Sequence, residues 1–450
     1  MADNTIVIAG GGASGTLLAH ALVQAGSRVV VVEPRGRLGA GVAYSTNYSS
    51  HVLNVPAARM SAFADDPHHF MRWLRDTYPN RFSPLSFVPR QIYGEYLTAI
   101  AREARNAAGE RFTHVRSSAA AVTIDDGVFV ECSDGSTVRG AALVIASGNS
   151  DPAPWPGLRL HGESAQRCFA SAWEPAALFP EDRNENVVLL GTGLTAVDAV
   201  LGLRDNGHTG KIFMVSRRGL LPHEHRLLDA PPDAARSELS GSTLIALSRE
   251  LTRASKNSHR SWRTQFDDLR SSTNALWQSL DVSEQRTFLR HALPYWNVHR
   301  HRMAPDVVKR LAALAACGDL EIVAGRTGPI AAHADGLRLT VIERRSGSRR
   351  ELSAGRVINC SGPVHDYTRL QNPLVKSLLA QGLIAPHPAG VGIRVAPTGA
   401  LVDAAGEASA RLFAIGPVRF GTLIETTAIP EIREQAAELA RYLLDAVAAA

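Results

Sequence analysis

The stretch that decides the fold lies near the start of the chain and reads Thr5-Ile6-Val7-Ile8-Ala9-Gly10-Gly11-Gly12-Ala13-Ser14-Gly15. Its apolar run predicts a buried strand over Thr5–Ala9, and the glycines that follow have the spacing G-x-G-x-x-G. In this motif Gly10 permits a tight turn, Gly12 lets the backbone approach a pyrophosphate, and Gly15 lets a helix pack closely on the strand. A helix predicted over Ser14–Ala25 directs its N-terminus, with free N–H groups, at that anion.

A second strand, predicted over Val29–Glu33, completes a β-α-β unit. Glu33 ends this strand, where a carboxylate accepts hydrogen bonds from the ribose hydroxyls of a dinucleotide. A lone glycine motif is weak evidence, but the strand, the helix and the acidic residue together indicate a dinucleotide site. The residues predicted to bind this first dinucleotide are Gly10, Gly12, Ala13, Ser14, Gly15, Glu33 and Arg35.

The same logic recurs later in the chain, with a strand over Val187–Leu190, a helix over Leu194–Asp205 and a strand over Lys211–Val215. Here the second strand runs into two arginines, Arg217 and Arg218, and no carboxylate follows it. Guanidinium groups bind a 2′-phosphate that a carboxylate would repel, which favours NADPH over NADH; the alternative is that both arginines are simply solvated. The residues predicted to bind this second dinucleotide are Gly191, Gly193, Leu194, Thr195, Ser216, Arg217 and Arg218.

Two nucleotide sites in one chain indicate FAD in the first site and NADPH in the second. The reason is electronic. A nicotinamide donates a two-electron hydride, and a flavin can accept it and pass the electrons on one at a time or to dioxygen.

The composition is that of an ordinary folded protein, with 450 residues, 45% hydrophobic and 20% charged residues, and a formal net charge of +5. These values exclude a disordered chain. No apolar run approaches the ~18 residues that span a bilayer, and no block of Lys and Arg indicates nucleic-acid binding. We therefore expect a cytoplasmic protein without a membrane or nucleic-acid partner.

The cysteines and histidines give no pattern of a metal site. The cysteines are scattered, with no C-x-x-C pair, which argues against a zinc site and a dithiol redox centre. The stretches His223-Glu224-His225 and His299-Arg300-His301-Arg302 also lack the spacing of metal ligands. We expect structural or solvated histidines there rather than a metal site or a general base.

The predicted fold is α/β, with two Rossmann-like (GR2-type) dinucleotide-binding domains and a helical insertion. The FAD-binding domain is predicted to be split between residues 1–155 and 355–450, and the NADPH-binding domain to span 183–345 with the insertion at 219–305. Prolines in Asp151–Gly157 mark the linker that leaves the first domain. The remaining elements predicted are strands over Leu337–Glu343 and Arg356–Asn359 and a helix near Pro430–Ala448.

Several later stretches share their pattern with one class of proteins: Leu143-Val144-Ile145-Ala146-Ser147-Gly148, Val357-Ile358-Asn359-Cys360-Ser361-Gly362-Pro363, Leu412-Phe413-Ala414-Ile415-Gly416-Pro417 and Glu425-Thr426-Thr427-Ala428. With the glycine loops, they resemble the flavoproteins that have two dinucleotide-binding domains. The resemblance is to a bacterial FAD-NAD(P)-binding group related to the flavin-containing and the N-hydroxylating monooxygenases.

The resemblance also implies roles for individual residues. The stretch from Leu53 to Phe63 would lie beside the isoalloxazine, with Asn54 as the amide near the flavin C4a and the nicotinamide. One departure is Gly416-Pro417, which stands where many flavoproteins have Gly-Asp. The further FAD contacts implied are Met60, Ser61, Arg90, Ser147, Gly148, Gly362, Gly416, Pro417, Thr426 and Thr427, with plain N-capping of the last helix as the alternative for the two threonines.

The activity implied by the resemblance is that of a monooxygenase. It would use FAD, NADPH and O2 to insert one oxygen atom into a small polar substrate, nitrogenous or heterocyclic, through a C4a-hydroperoxyflavin, with Asn54 as the catalytic residue. Two alternatives stay open: an NAD(P)H:acceptor reductase or dehydrogenase without oxygen insertion, and a non-catalytic flavin-binding protein. The shape of the pocket selects the substrate, and the fold class does not reveal it.

Overall fold

The computed structural model describes residues 4–155, 162–226, 243–246, 249, 262–334 and 336–448. Their strands are β1 (Thr5–Ala9), β2 (Arg28–Val32), β3 (Phe112–Val115), β4 (Ala119–Ile124), β5 (Val128–Cys132), β6 (Thr137–Gly140), β7 (Ala142–Ile145), β8 (Cys168–Phe169), β9 (Val187–Leu190), β10 (Ile212–Ser216), β11 (Leu320–His333), β12 (Gly336–Glu343), β13 (Arg349–Ala354), β14 (Arg356–Asn359), β15 (Ala400–Val402) and β16 (Ala408–Ala414).

The α-helices of the same residues are α1 (Ala13–Gln24), α2 (His69–Thr77), α3 (Arg90–Ala108), α4 (Glu163–Gln166), α5 (Leu194–Asp205), α6 (Trp262–Asp268), α7 (Thr273–Ser279), α8 (Val282–Thr287), α9 (Leu293–Arg300), α10 (Pro305–Ala316), α11 (Pro373–Ala380) and α12 (Ile429–Ala448). A π-helical turn over Phe288–Ala292 joins α8 to α9. No helix of the described residues is long and apolar enough to cross a membrane.

The first sheet is built from strands of both ends of the chain, in the order β15-β16-β7-β1-β2-β3. β1 pairs in parallel with β2 and β7, and β7 pairs in parallel with β16. Every residue of β1 is buried because both faces of the sheet are covered. Ile6 and Ile8 belong to the core on one face and Val7 and Ala9 to the core on the other. This arrangement brings the loop after β16 beside the first glycine loop.

The second sheet has the order β13-β12-β11-β10-β9-β14-β8. Its central strands β9, β10 and β14 pair in parallel, and the antiparallel pairs β11–β12 and β12–β13 extend one edge. β14 therefore lies in this sheet, although its residues fall in the segment that the sequence assigned to the FAD-binding domain. Arg356 fixes the strand there, since its Nε lies 3.1 Å from Glu185 Oε1.

A third, three-stranded antiparallel sheet, β4-β5-β6, was not predicted from the sequence. It packs against α11, and Gln381 Nε2 at the end of that helix donates to the Val122 carbonyl at 3.0 Å. Two parallel Rossmann-like sheets with a small antiparallel sheet confirm the predicted α/β class.

The insertion is helical over residues 262–300, in α6–α9. Its first part, residues 219–226, is not helical, and Glu224 there forms a bridge with Met303, so the predicted helical character is wrong for that part. Residues 227–242 and 250–261, for which the sequence also predicted helix, lie outside the described residues. The insertion has a core of its own that includes Trp277 and Leu280, and this core is completed by Phe420 and Ile424 from the loop before α12. The insertion is thus packed on the C-terminal part of the chain.

Candidate cofactor and substrate site

The first glycine loop has the geometry that its spacing predicts. Gly10 has a φ of +116°, and a Cβ there would lie 2.4 Å from the Ala146 carbonyl oxygen. A Cβ on Gly15 would lie 1.9 Å from the Gly10 carbonyl oxygen. At Gly12, by contrast, a Cβ would meet only Gly41 Cα at 3.4 Å, an ordinary contact. Packing therefore does not require glycine at Gly12, which fits a position kept bare for a pyrophosphate. Ala13 and Ser14 open α1 directly behind it.

Glu33 follows β2 and holds a buried carboxylate at the same edge. Its Oε2 accepts from the Gly11 N–H at 2.9 Å and its Oε1 from the Arg35 N–H at 3.1 Å. Arg35 Nη1 lies 3.6 Å from the same carboxylate. The acidic group is thus oriented at the mouth of the loop, where the ribose of a dinucleotide would lie.

The turn after β16 connects the C-terminal helix with the first glycine loop. Gly416 has a φ of +72°, and a Cβ there would lie 2.3 Å from Ser14 Oγ. The Thr426 hydroxyl donates to the Gly416 carbonyl at 2.7 Å and accepts from Gln435 Nε2 at 3.0 Å. Thr427 is exposed. Of the two threonines, Thr426 therefore stabilises the turn through its hydrogen bond to Gly416. The hydroxyl of Thr427 has no partner among the described residues.

The stretch expected beside the isoalloxazine is anchored at both flanks. Arg433 Nη1, on α12, donates to the Ser61 carbonyl at 3.1 Å, and the Tyr93 hydroxyl, on α3, donates to the Met60 carbonyl at 2.9 Å. Asn54 is half-buried in this stretch. Its amide has no hydrogen-bond partner within the part of the chain that the structure describes.

The remaining residues implied for FAD stand at strand ends. Ser147 and Gly148 follow β7, with a φ of +72° at Gly148, and Pro417 opens a 3-10 turn directly after Gly416. Gly362, with a φ of +86°, follows β14 of the second sheet.

The second glycine loop repeats the first. Gly191 has a φ of +136°, and a Cβ there would lie 2.3 Å from the Cys360 carbonyl oxygen, whereas a Cβ on Gly193 would meet nothing within 4 Å. Leu194 and Thr195 open α5 after it. The Ser216 hydroxyl lies 2.9 Å from Thr192 Oγ1. Ser216 therefore holds the loop against the end of β10.

The two arginines after β10 differ in their surroundings. Arg217 is exposed and has no ion-pair or hydrogen-bond partner among the described residues. The Arg218 guanidinium lies over the Tyr295 ring of the insertion, 5.6 Å from its centroid. Arg217 is thus the freer of the two for a phosphate.

Arg90, expected to contact FAD, forms an ion pair with Asp198 on α5. Its Nη1 lies 2.6 Å from Asp198 Oδ2, and its Nε donates to the Val52 carbonyl at 3.1 Å. His51 Nε2 donates to the backbone carbonyl of Asp198 at 2.8 Å. No local pattern of residues predicts this pair, because the partners are far apart in the chain.

Charged side chains join the insertion to the loop before α12 and to the first turn of that helix. Arg270 makes a bidentate pair with Glu431, at 2.7 and 3.0 Å, and Arg300 Nε lies 3.0 Å from Glu425 Oε1. Burial raises the pKa of Glu425 although Arg300 opposes this. For Glu431, burial alone would raise the pKa, but the hydrogen bonds and positive charge of Arg270, together with the charge of Arg300, lower it overall.

Neutral contacts reinforce this junction. Asn274 and Glu425 exchange two bonds, each 2.9 Å, between the Asn274 amide and the Glu425 backbone. The Trp277 indole N–H donates to the Gly421 carbonyl at 2.7 Å. The insertion therefore fixes the position of the loop that leads to Thr426.

The two histidine-rich stretches meet in the fold. The rings of His223 and His299 lie 4.5 Å apart, with Trp262 against both. Burial, with positive charge nearby, lowers the pKa of His225 and of His301 to about 4. Over the described ranges, no three His, Cys, Asp or Glu side chains are grouped to hold a metal ion.

Comparison with known proteins agrees with the glycine loop and the first sheet. Residues 7–150 match the model of a family described as FAD-NAD(P)-binding. The predicted resemblance is thereby confirmed for an FAD-NAD(P)-binding domain. No curated protein matches the chain.

Solved structures with the same fold cover the whole chain at low identity. A cadaverine monooxygenase of desferrioxamine biosynthesis from Erwinia amylovora has a TM-score of 0.70 and 13% identity, covering 99% of this chain and 95% of that one. An L-lysine 6-monooxygenase from Pseudomonas syringae has a TM-score of 0.68 and 16% identity, covering 99% of both. Thioredoxin reductase from Lactococcus lactis has a TM-score of 0.53 and 11% identity, covering 100% of both. At these identities the likeness shows the fold, that of flavoproteins with two dinucleotide-binding domains.

Proposed function

We propose that this protein is a flavin-dependent NADPH oxidoreductase and, specifically, a monooxygenase acting on a small polar substrate. One observation carries the proposal. A glycine loop follows a parallel strand in each of the two sheets, and in each loop the packing would tolerate a side chain at the second glycine, Gly12 or Gly193. The buried carboxylate of Glu33 suits the ribose of FAD, and the free guanidinium of Arg217 suits the 2′-phosphate of NADPH.

Bound FAD would supply hydride acceptance and the activation of O2, which amino-acid side chains do not provide. The chain's own contribution is to hold and shield the site. Asn54 offers a neutral amide donor in the stretch anchored by Ser61 and Met60. The insertion, bonded through Asn274 and Trp277 to the loop before α12, covers that side of the site from water.

Two of the four cysteines, Cys168 and Cys360, do not suit the thiol chemistry of a dithiol reductase. Cys132, Cys168, Cys317 and Cys360 are all free. Burial raises the pKa of Cys168 to about 11 and raises that of Cys360 as well. Both thiols therefore stay protonated near neutral pH, and a thiol passes electrons to a disulfide as the thiolate.

The charged junction favours a polar substrate with an anionic group. Four arginines (Arg59, Arg270, Arg300 and Arg302) face three carboxylates (Asp267, Glu425 and Glu431). Arg59 has the weakest pairing, 3.9 Å from Asp267 Oδ2, and its side chain is 40% exposed. Among these four arginines, and within the described residues, Arg59 is therefore the most accessible to a ligand.

The reaction of the reduced protein with O2 tests this function before the substrate is known. The FAD-loaded protein is reduced with NADPH without oxygen and then mixed with O2 in a stopped-flow spectrophotometer. A monooxygenase shows a spectrally distinct species that outlives the mixing by seconds, before oxidised flavin returns. Single-phase return of oxidised flavin would instead assign a reductase, and failure of NADPH to reduce the flavin would assign a non-catalytic protein.

Asn54 gives the matched variant for that measurement. Asn54→Ala removes the amide donor, and we expect the species to decay at least tenfold faster, with NADPH reduction unchanged. Asn47→Ala, at an exposed position of the same region, should behave as the unaltered protein. L-Lysine and cadaverine, named for two structural neighbours, are assayed for label from ¹⁸O₂ as reference aliphatic amines, of which only L-lysine has an anionic group.

A further inference from the structure

An aromatic-lined cavity of about 250 Å³ lies between the insertion and the loop before α12. Ile424 of that loop forms part of one wall, and the insertion provides most of the rest. The ring-bearing side chains that line it are Phe266, Trp277, Phe288, Tyr295, Trp296 and His299. The side chains that line a cavity of this size lack packing contacts that they would make in a filled core. Ligand pockets commonly have such apolar walls and a few polar groups.

The cavity lies between the residues expected at the two cofactors. Ile424 precedes Thr426 and Thr427 by two and three positions, and the intervening Glu425 is fixed by Asn274. On the opposite side, the Tyr295 ring receives the guanidinium of Arg218, which follows β10. A molecule in the cavity would thus contact the loop that leads to the flavin site.

The polar groups of the lining suit an uncharged ring. The His299 Nδ1–H donates to the Tyr295 carbonyl at 2.7 Å, which leaves Nε2 as an acceptor in the neutral ring. The Trp277 indole N–H is used by the Gly421 carbonyl. Within the described part of the chain, the residues that line the cavity include no Asp, Glu, Lys or Arg. A charged group here would lose its hydration without a paired charge, whereas an aromatic ring gains edge and face contacts.

We propose that this cavity binds an uncharged aromatic ring of the substrate, and so selects an aromatic substrate class over the aliphatic amines. That the bound ring belongs to a substrate rests on the proposed function, whereas the ring site itself is inferred from the cavity alone. The charged junction around Arg59 adjoins the cavity along α6 and α9. Asp267 follows the lining residue Phe266 in the sequence, and Arg300 follows the lining residue His299. Binding of the ring in the cavity therefore does not depend on the charged junction.

Calorimetric titration of the FAD-loaded protein with indole tests the ring site, with cyclohexylmethanol as the non-aromatic probe of similar size. Ala292 lines the cavity, so Ala292→Phe fills it. Ala313→Phe makes the same change at an exposed position of α10 and is the matched control. Thermal unfolding and flavin content report whether each variant is folded. Phe288→Ala enlarges the cavity and serves as the second variant.

We expect one indole per protein, binding at least tenfold tighter than cyclohexylmethanol. Ala292→Phe should weaken indole at least tenfold, Ala313→Phe should leave it unchanged, and Phe288→Ala should shift the preference from indole toward the larger quinoline. Absence of indole binding, or equal binding to the unaltered protein and to a folded Ala292→Phe, overturns the ring site. If Ala292→Phe fails to fold, an unchanged indole-to-quinoline preference in Phe288→Ala overturns it. These titrations use no oxygen, so their outcome is separate from that of the O2 reaction that tests the monooxygenase.

Discussion

Arg90 and Asp198 join the two dinucleotide-binding parts of the molecule through a short ion pair. Arg90 begins α3, in the part that contains the first glycine loop, and Asp198 lies on α5, directly behind the second. The Nη1–Oδ2 distance is 2.6 Å, and the side chains are 15% and 8% exposed. An ion pair so little exposed fixes the relative position of two elements, because neither charge can be left unpaired without a large penalty.

Replacing Arg90 by Met should therefore destabilise the protein by about 3–5 kcal/mol, as expected when one partner of a buried pair is removed. The double variant Arg90→Met/Asp198→Leu should recover most of that loss, as measured by denaturant unfolding of the FAD-loaded protein. Arg90 is also predicted to contact FAD. If it does, flavin stays weakly bound in the double variant even when stability returns; full recovery of both would remove that role.

The two glycines of the second loop should respond differently to alanine. Gly191→Ala forces a Cβ to 2.3 Å from the Cys360 carbonyl at a φ of +136°, so unfolding should occur at a lower temperature. Gly193→Ala meets nothing within 4 Å, so the unfolding temperature should stay the same. If a pyrophosphate lies against Gly193, the methyl group should weaken NADPH at least tenfold in a binding titration. Unweakened NADPH binding in Gly193→Ala would argue against a dinucleotide at this loop.

Arg217 should set the choice between NADPH and NADH. Arg217→Ala removes an exposed guanidinium that has no ion-pair or hydrogen-bond partner among the described residues, so stability should not change. NADPH should lose about 1–3 kcal/mol of binding relative to NADH, the contribution of a hydrogen bond to a charged group. The ratio of kcat/KM for flavin reduction by the two nucleotides measures this. Arg102→Ala, at an exposed position of α3, is the control, and equal losses for both nucleotides would contradict a 2′-phosphate contact.

The sequence predicted the elements whose signal is local. The glycine loops and the strands β1, β9 and β14 follow from runs of neighbouring residues, and so their bounds along the chain were predicted correctly, although the sheet to which β14 belongs was not. The pairs Arg90–Asp198 and Asn274–Glu425 join residues more than a hundred positions apart. Nothing in one sequence marks such partners, because only tertiary packing brings them together.

The sequence also could not decide the role of residues for which two roles are plausible. Thr426 and Thr427 share a chemical type and stand side by side, so flavin contact and helix capping could not be separated. The fold distinguishes the surroundings of the two residues, since Thr426 is fully buried and bonded to Gly416 while Thr427 is exposed. Burial of one of two adjacent residues depends on how α12 meets the first sheet.

The two threonines should therefore give different variants. Thr426→Val loses the bond to the Gly416 carbonyl and leaves that buried acceptor unsatisfied, which should cost about 1–3 kcal/mol of unfolding free energy. Thr427→Val should leave stability unchanged. If the Thr427 hydroxyl contacts the flavin, this variant should shift the visible absorbance and the reduction potential of bound FAD. A shift in neither property would assign Thr427 to the surface.

His208 should make stability depend on pH. Its side chain is 2% exposed and neither ring nitrogen has a hydrogen-bond partner in the described structure. Burial, with the positive charges of Arg204 and Arg356, lowers its pKa from 6.5 to about 4. The unfolded chain therefore binds a proton below about pH 6.5 that the folded chain does not bind until about pH 4. Stability should fall as the pH is lowered through this window, by about 1.4 kcal/mol per pH unit for this one group.

His208→Leu should consequently lose about 2 kcal/mol less unfolding free energy than the unaltered protein between pH 7 and pH 5, measured by denaturant unfolding. The exposed His291, replaced by Leu, is the control, and identical pH dependence in His208→Leu and the unaltered protein would show that His208 titrates normally in the fold.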